Sequence, residues 1–170
     1  MRALIGLVLR YWLVLALAAS AGMLAIAHAF ETFGHLAPCT LCYYQRDVYW
    51  AALWIAAAGL GLARTPMARL TPLVGWLLAA VFLVGAGIAV WHAGAEWKFW
   101  SGPKACASGG GPASAAGLAA LMQGAKIAGP HCDQAAWVFL GLSMAGWNVL
   151  ISLKLAGWSA AWSLWRPRHD

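Results

Sequence analysis

Residues 71–95 read TPLVGWLLAAVFLVGAGIAVWHAGA, without a single Lys, Arg, Asp or Glu. A bilayer core about 30 Å thick needs about 20 mostly apolar residues in a helix to cross it, and this stretch is long and apolar enough to do so. The same pattern recurs on either side. Membrane spans are expected near 11–30, 46–63, 71–92 and 135–153, the second with its charged start at the interface. The whole 170-residue chain agrees: 63% is hydrophobic, only 9% is charged, and mean hydropathy is +0.71. An ordinary soluble domain is about 45–50% apolar and about 25% charged, so a water-soluble globule is excluded. Twelve tryptophans exclude a disordered chain.

The charges orient the spans. Arg2, Arg10, Arg64, Arg69, Lys154, Arg166 and Arg168 fall on one side, and Arg46, Lys98, Lys104 and Lys126 on the other. The richer side faces the cytoplasm, which puts both termini inside and the loops 31–45 and 93–134 outside. The acids Glu31, Asp47, Glu96 and Asp133 neutralise the outer side, so the net charge of +6 records orientation and gives no support for a nucleic-acid partner. Residues 1–30 imitate a signal peptide, but their apolar run exceeds the usual 7–15 residues, so cleavage is not expected.

The expected fold is all-α: one domain over 1–170, a polytopic membrane four-helix bundle. Small residues four apart (Ala18/Gly22, Gly85/Ala89, Gly141/Ala145) offer close helix approach. Trp12, Trp76, Trp91, Trp97, Trp100 and Trp137 sit near span ends as interfacial aromatics do. Residues 115–127 read as a short helix on the membrane surface within the second loop. Residues 154–170, with Trp158, Trp162 and Trp165 at helical spacing, read as a cytoplasmic interfacial tail.

All four cysteines, Cys39, Cys42, Cys106 and Cys132, fall in the two outward loops, where disulfides persist. Cys39-Thr40-Leu41-Cys42 has the spacing of a redox dithiol and of half a zinc site. A zinc site wants a second close pair, whereas a long Gly-rich stretch separates Cys106 from Cys132, so no metal is expected. Pro38 stiffens the approach to Cys39. Cys42 stands where the second span begins, and Arg46 follows one turn later, so helix dipole and cation would both favour a thiolate there. Asp47 would complement the same helix start. Lys104 near Cys106 and His131 beside Cys132 would act likewise if close in space, and the glycines at 109–111 give that loop reach.

His28 and His92 lie near outer span ends, where ionisable groups are functional candidates. Glu96, one turn after His92, forms a pair able to share a proton. Two other readings compete with a cysteine relay. The histidines would suit a haem-binding electron carrier, which leaves the cysteines unexplained, and a scaffold or transporter would use the cysteines as structural bridges.

Together, Pro38-Cys39-Thr40-Leu41-Cys42-Tyr43-Tyr44-Gln45-Arg46, the Trp91-His92-Ala93-Gly94-Ala95-Glu96-Trp97 segment, Cys106, Cys132 and Trp137-Val138-Phe139-Leu140-Gly141-Leu142-Ser143-Met144 resemble the DsbB family of quinone-linked thiol oxidases of the bacterial inner membrane. The resemblance runs over nearly the whole chain. It implies that Cys42 engages a quinone, with Arg46 supporting and His92 nearby, and that Cys106, paired with Cys132, receives a periplasmic DsbA-like thioredoxin-fold partner. Ubiquinone is the expected acceptor, with menaquinone as the alternative. On position alone, one turn after His92, Glu96 is a candidate to relay protons with it at the quinone site. Gln45 stands where some relatives carry glutamate. The related vitamin K epoxide reductase group has the reverse cysteine order.

Overall fold

The computed structural model describes residues 2–103 and 132–166. Five α-helices carry nearly all of that structure: α1 (Arg2–Arg10), α2 (Trp12–Thr32), α3 (Thr40–Leu62), α4 (Thr71–Glu96) and α5 (Met144–Trp165). A short 3-10 helix, Ala68–Leu70, leads into α4, and Pro72 stands in the first turn of α4, where its missing N–H costs nothing. Among the described residues two helices, Trp12–Thr32 and Ala68–Glu96, are long and apolar enough to cross a membrane. Both α3, with Gln45, Arg46 and Asp47, and α5, with Lys154, are more polar.

The four long helices pack together: α4 touches both α3 and α5, and α2 lies on α3 and reaches α5. Trp12, Leu13, Tyr49, Phe82, Ala156 and Trp162 are among the residues that fill the space between them. Glycines set two of the close approaches. A Cβ on Gly85 would lie 2.8 Å from Val48 Cγ1, and one on Gly75 would lie 2.6 Å from Trp162 Cε3. Of the small-residue pairs expected at interfaces, Gly85/Ala89 serves. Gly22 has open space where its Cβ would be, and Gly141 lies in a turn. Gly75→Ala therefore overpacks the α4–α5 contact and destabilises by about 1–3 kcal/mol. Thermal unfolding in detergent checks this, and an unchanged midpoint would contradict the packing.

Two helices start away from the limits of the expected spans. The second helix starts at Thr40 and not near 46, because Cys39 caps it: the residue is extended (φ −83, ψ 172) and its Sγ accepts the Cys42 N–H. Asp47 consequently lies two turns inside α3, away from the helix start. At the other end, residues 138–143 form a hairpin pairing Val138 with Ser143 and Phe139 with Leu142. Leu140 and Gly141 at its tip both have positive φ, 51 and 78, the conformation of a tight hairpin turn. Ser143 then caps α5 by accepting the Gly146 N–H at 3.1 Å. The last helix thus begins at Met144, where 135 was expected.

In consequence α5 runs through much of the expected tail, and Lys154 sits on the exposed side of its middle. Trp162 is only 1% exposed, and Trp158 stacks on Trp12 at 6.1 Å. Trp12 is itself buried and donates its indole N–H to Ser159 Oγ at 3.1 Å. Trp12 can join the core because an indole N–H with a partner is buried at little cost, and Trp162 and Trp158 pack with it. The surface helix expected over 115–127 lies outside the described residues, as do Lys104, Cys106, Lys126, His131 and Arg168.

Candidate active site: a buried dithiol beside an apolar cavity

Capping by Cys39 places both cysteines of the C-x-x-C motif at the N-terminus of α3. Cys39 and Cys42 are free thiols with their sulfurs 2.8 Å apart. Cys39 is 4% exposed and packs with Leu41 and Cys132, while Ile88 of α4 and Cys42 close the cluster. Cys132 is disulfide-bonded and 1% exposed. Its neighbour Asp133 receives the Lys98 ammonium at 2.6 Å, tying this part of the chain to the end of α4. One buried cluster thus contains a dithiol and one end of a disulfide.

The two sulfurs face different surroundings. Cys42 lines a cavity of about 360 Å³, and Cys39 is not among its lining residues. Phe30, Trp137, Phe139 and Trp147 supply aromatic walls, and the ring of Phe139 lies 5.6 Å from that of Trp137. Trp147 donates its indole N–H to the Phe139 carbonyl at 3.0 Å, fixing the hairpin against α5. A mostly apolar concavity of this size with a few convergent polar groups is the usual form of a small-molecule site.

Cys39 is held ionised. The hydrogen bond from the Cys42 thiol contributes most, and those from His92 Nε2 at 3.5 Å and the Cys42 backbone N–H at 3.3 Å act with it. Together they outweigh burial and hold the Cys39 thiol well below its ordinary value of 9.0. The sequence reading placed a thiolate on Cys42; the two sulfurs share one hydrogen bond, and Cys39 is the member whose surroundings lower it.

A lowered thiol stabilises the reduced folded chain fully above pH 9, and this contribution falls as pH falls and disappears below the lowered value. Thiolate absorbance of the reduced chain should accordingly survive well below pH 9 and retreat toward it in His92→Ala. A single transition near 9 in the native chain would contradict this.

His92, 5% exposed, is held from both sides. Gln45 donates its side-chain N–H to Nδ1 at 2.9 Å, so the neutral ring carries its proton on Nε2, toward Cys39. Asn148 donates to Gln45 Oε1 at 2.6 Å, and Asn148 Oδ1 accepts from Tyr49 and Ser152. The expected pairing with Glu96 is present: Oε1 lies 3.7 Å from Nε2, and both side chains are buried. The sequence reading missed Gln45, Tyr49, Asn148 and Ser152 as a network. Two polar residues one turn apart in an apolar helix, at 148 and 152, were the available signal.

Arg46 also lines the cavity, with its charge already paired. Its Nη1 donates to Glu31 Oε2 at 2.6 Å, its Nη2 donates to the Ala27 carbonyl at 3.2 Å, and the guanidinium lies over the Tyr43 ring. It therefore clasps α2 to α3 at the cavity wall. His28 is 56% exposed, with Nδ1 3.8 Å from Glu31.

A buried dithiol packed between a disulfide cysteine and an apolar cavity is an arrangement suited to thiol–disulfide exchange. The sequence pattern described as "Disulfide bond formation protein DsbB" matches residues 9–162, and the chain belongs to that family. It is 32% identical over 135 residues to a Disulfide bond formation protein B of Dechloromonas aromatica (strain RCB), covering 76% of this chain and 77% of the relative. It is 31% identical over 144 residues to one from Idiomarina loihiensis, covering 82% of this chain and 76% of the relative. No solved structure matches it.

Proposed function

We propose that the protein is an inner-membrane thiol:quinone oxidoreductase that reoxidises a periplasmic DsbA-like thioredoxin-fold dithiol. The observation that carries this reading is the order of groups: disulfide-bonded Cys132 packs on Cys39, Cys39 touches Cys42, and Cys42 opens into the aromatic cavity. All four long helices serve as spans, with both termini cytoplasmic.

The donor thiolate attacks Cys106 of a Cys106–Cys132 disulfide, giving a mixed disulfide and a thiolate on Cys132. The donor's second thiolate resolves that bond and leaves the donor oxidised. The Cys132 thiolate attacks the Cys39 sulfur of an oxidised Cys39–Cys42 pair, and Cys42 leaves as a thiolate. Attack by Cys106 on Cys132 then restores the first disulfide and leaves Cys39 and Cys42 reduced. Two electrons have now moved next to the cavity.

The cavity suits a quinone headgroup in size, in its aromatic walls and in offering hydrogen-bonding groups from Arg46 and His92 in its lining. A bound quinone supplies a two-electron, two-proton sink. Cys42, the sulfur at the cavity, would meet the quinone, and Cys39 would close the disulfide behind it. The Cys42 thiol would supply one proton, and the carboxyl of Glu96 would supply the other by way of His92.

Removing the guanidinium takes a cation and the α2–α3 clasp from the cavity wall. Arg46→Ala should raise the quinone KM about tenfold, a loss of about 1.4 kcal/mol, with partial rescue in Arg46→Lys. Unchanged steady-state kinetics would remove Arg46 from the site.

A further inference from the structure

The cysteine relay uses the two sulfurs and His92 one state at a time, yet all three donors converge. One atom from each of Cys39, Cys42 and His92 lies within 4.8 Å of the others. Glu96 adds a fourth: its side chain is 4% exposed, Oε1 is 3.7 Å from His92 Nε2, and Oε2 has no hydrogen-bond partner among the described residues. We propose that in the reduced chain Cys39, Cys42, His92 and Glu96 form a four-coordinate site for a thiophilic divalent cation of the zinc type, which arrests the protein in its reduced state.

Zinc binds thiolate at about 2.3 Å and imidazole at about 2.0–2.1 Å, which places sulfur and nitrogen ligands of one tetrahedral ion about 3.5 Å apart. Cys39 Sγ and His92 Nε2 are 3.5 Å apart. The two sulfurs, at 2.8 Å, need to open by about 1 Å, which side-chain rotation at the first turn of α3 provides. The missing half of the metal pattern in the sequence is supplied from α4, where His92 and Glu96 stand one turn apart. Borderline-soft ions favour such a mixed sulfur, nitrogen and carboxylate set, whereas magnesium and calcium favour oxygen alone.

Binding moves no electrons. The cation exchanges water for two bonds to sulfur, one to nitrogen and one to oxygen, and the Cys42 thiol proton leaves to solvent. With Nε2 ligated, the ring proton resides on Nδ1, so the Gln45 and Asn148 amides turn together: Gln45 Oε1 accepts from Nδ1, Gln45 donates to Asn148 Oδ1, and the Tyr49 and Ser152 hydroxyls accept from Asn148. Such an outer partner tunes a metal-bound histidine. The ion enters through the cavity onto which Cys42 opens. Oxidation of the pair removes both thiolates, so the site exists only while the electrons rest there.

The full chain in detergent, reduced, freed of reductant and kept anaerobic, is titrated with Co²⁺ and then with Zn²⁺. The expected result is one Co²⁺ per chain, with thiolate charge-transfer and tetrahedral ligand-field bands, displaced by an equivalent of Zn²⁺. The oxidised chain takes up none, and Cys106→Ser binds as the native chain does. His92→Ala and Glu96→Gln weaken Zn²⁺ binding at least tenfold, and Gln45→Glu, which offers Nδ1–H a carboxylate, tightens it about tenfold. An octahedral cobalt spectrum, uptake by the oxidised chain, loss of binding in Cys106→Ser, or unchanged affinity in His92→Ala would each overturn the proposal. The readout is independent of turnover, so failure here leaves the quinone relay standing, and failure of the relay leaves the metal site standing.

Discussion

Cys42→Ser should reduce quinone no faster than donor and quinone mixed without protein. Cys42 is the sulfur that lines the cavity, and Cys39 is enclosed by Leu41, Ile88 and Cys132. Without Cys42 the pair cannot close a disulfide, so two electrons have no route to the acceptor even though the Cys39 thiolate, its His92 partner and the cavity walls remain. The variant should still bind quinone, because the aromatic rings and Arg46 are untouched. Anaerobic loss of quinone absorbance measures the first expectation, and quenching of the tryptophans around the cavity by added quinone measures the second. Turnover near the native rate would show that electrons leave by another sulfur.

Cys106→Ser separates the two halves of the relay and has an equally large effect on one of them. Oxidation of a thioredoxin-fold donor should stop, since the donor has lost the sulfur it attacks. A chain whose Cys39–Cys42 pair is already reduced should still deliver one pair of electrons to quinone. Single-turnover mixing with quinone, followed by thiol trapping and mass measurement, reads both outcomes. Sustained donor oxidation by Cys106→Ser would refute the two-pair mechanism, because Cys39, 4% exposed, is closed to a protein donor.

How far the sequence foretells this arrangement depends on the kind of interaction. Long apolar runs without charge were readable because a helix in lipid must be apolar along its whole length. The C-x-x-C pair was readable as a redox candidate, and so was the pairing of His92 with Glu96 one turn later. The identity of the capping residue was not: Cys39 takes the place usually held by Ser, Thr, Asp or Asn, which moves the start of α3 to Thr40 and the lowered thiol onto Cys39 itself. The hairpin at 138–143 was hidden because its only turn signal, Gly141, sits in a run apolar enough to pass for a helix. Trp12 looked interfacial, and Ser159 supplies its indole with a buried partner from a distant helix. The chain from Tyr49 and Ser152 through Asn148 and Gln45 to His92 joins three helices, and no local pattern announces a contact of that range.

The central claim is that electrons pass from a protein dithiol to a quinone through this chain. Anaerobic stopped-flow mixing of a reduced thioredoxin-fold donor with the ubiquinone-loaded protein tests it most directly, with donor fluorescence and quinone absorbance followed together. The account predicts that donor disulfide appears mole for mole with quinone lost, and that quinone loss vanishes in Cys42→Ser. Donor oxidation without quinone loss, or quinone loss persisting in Cys42→Ser, would contradict it.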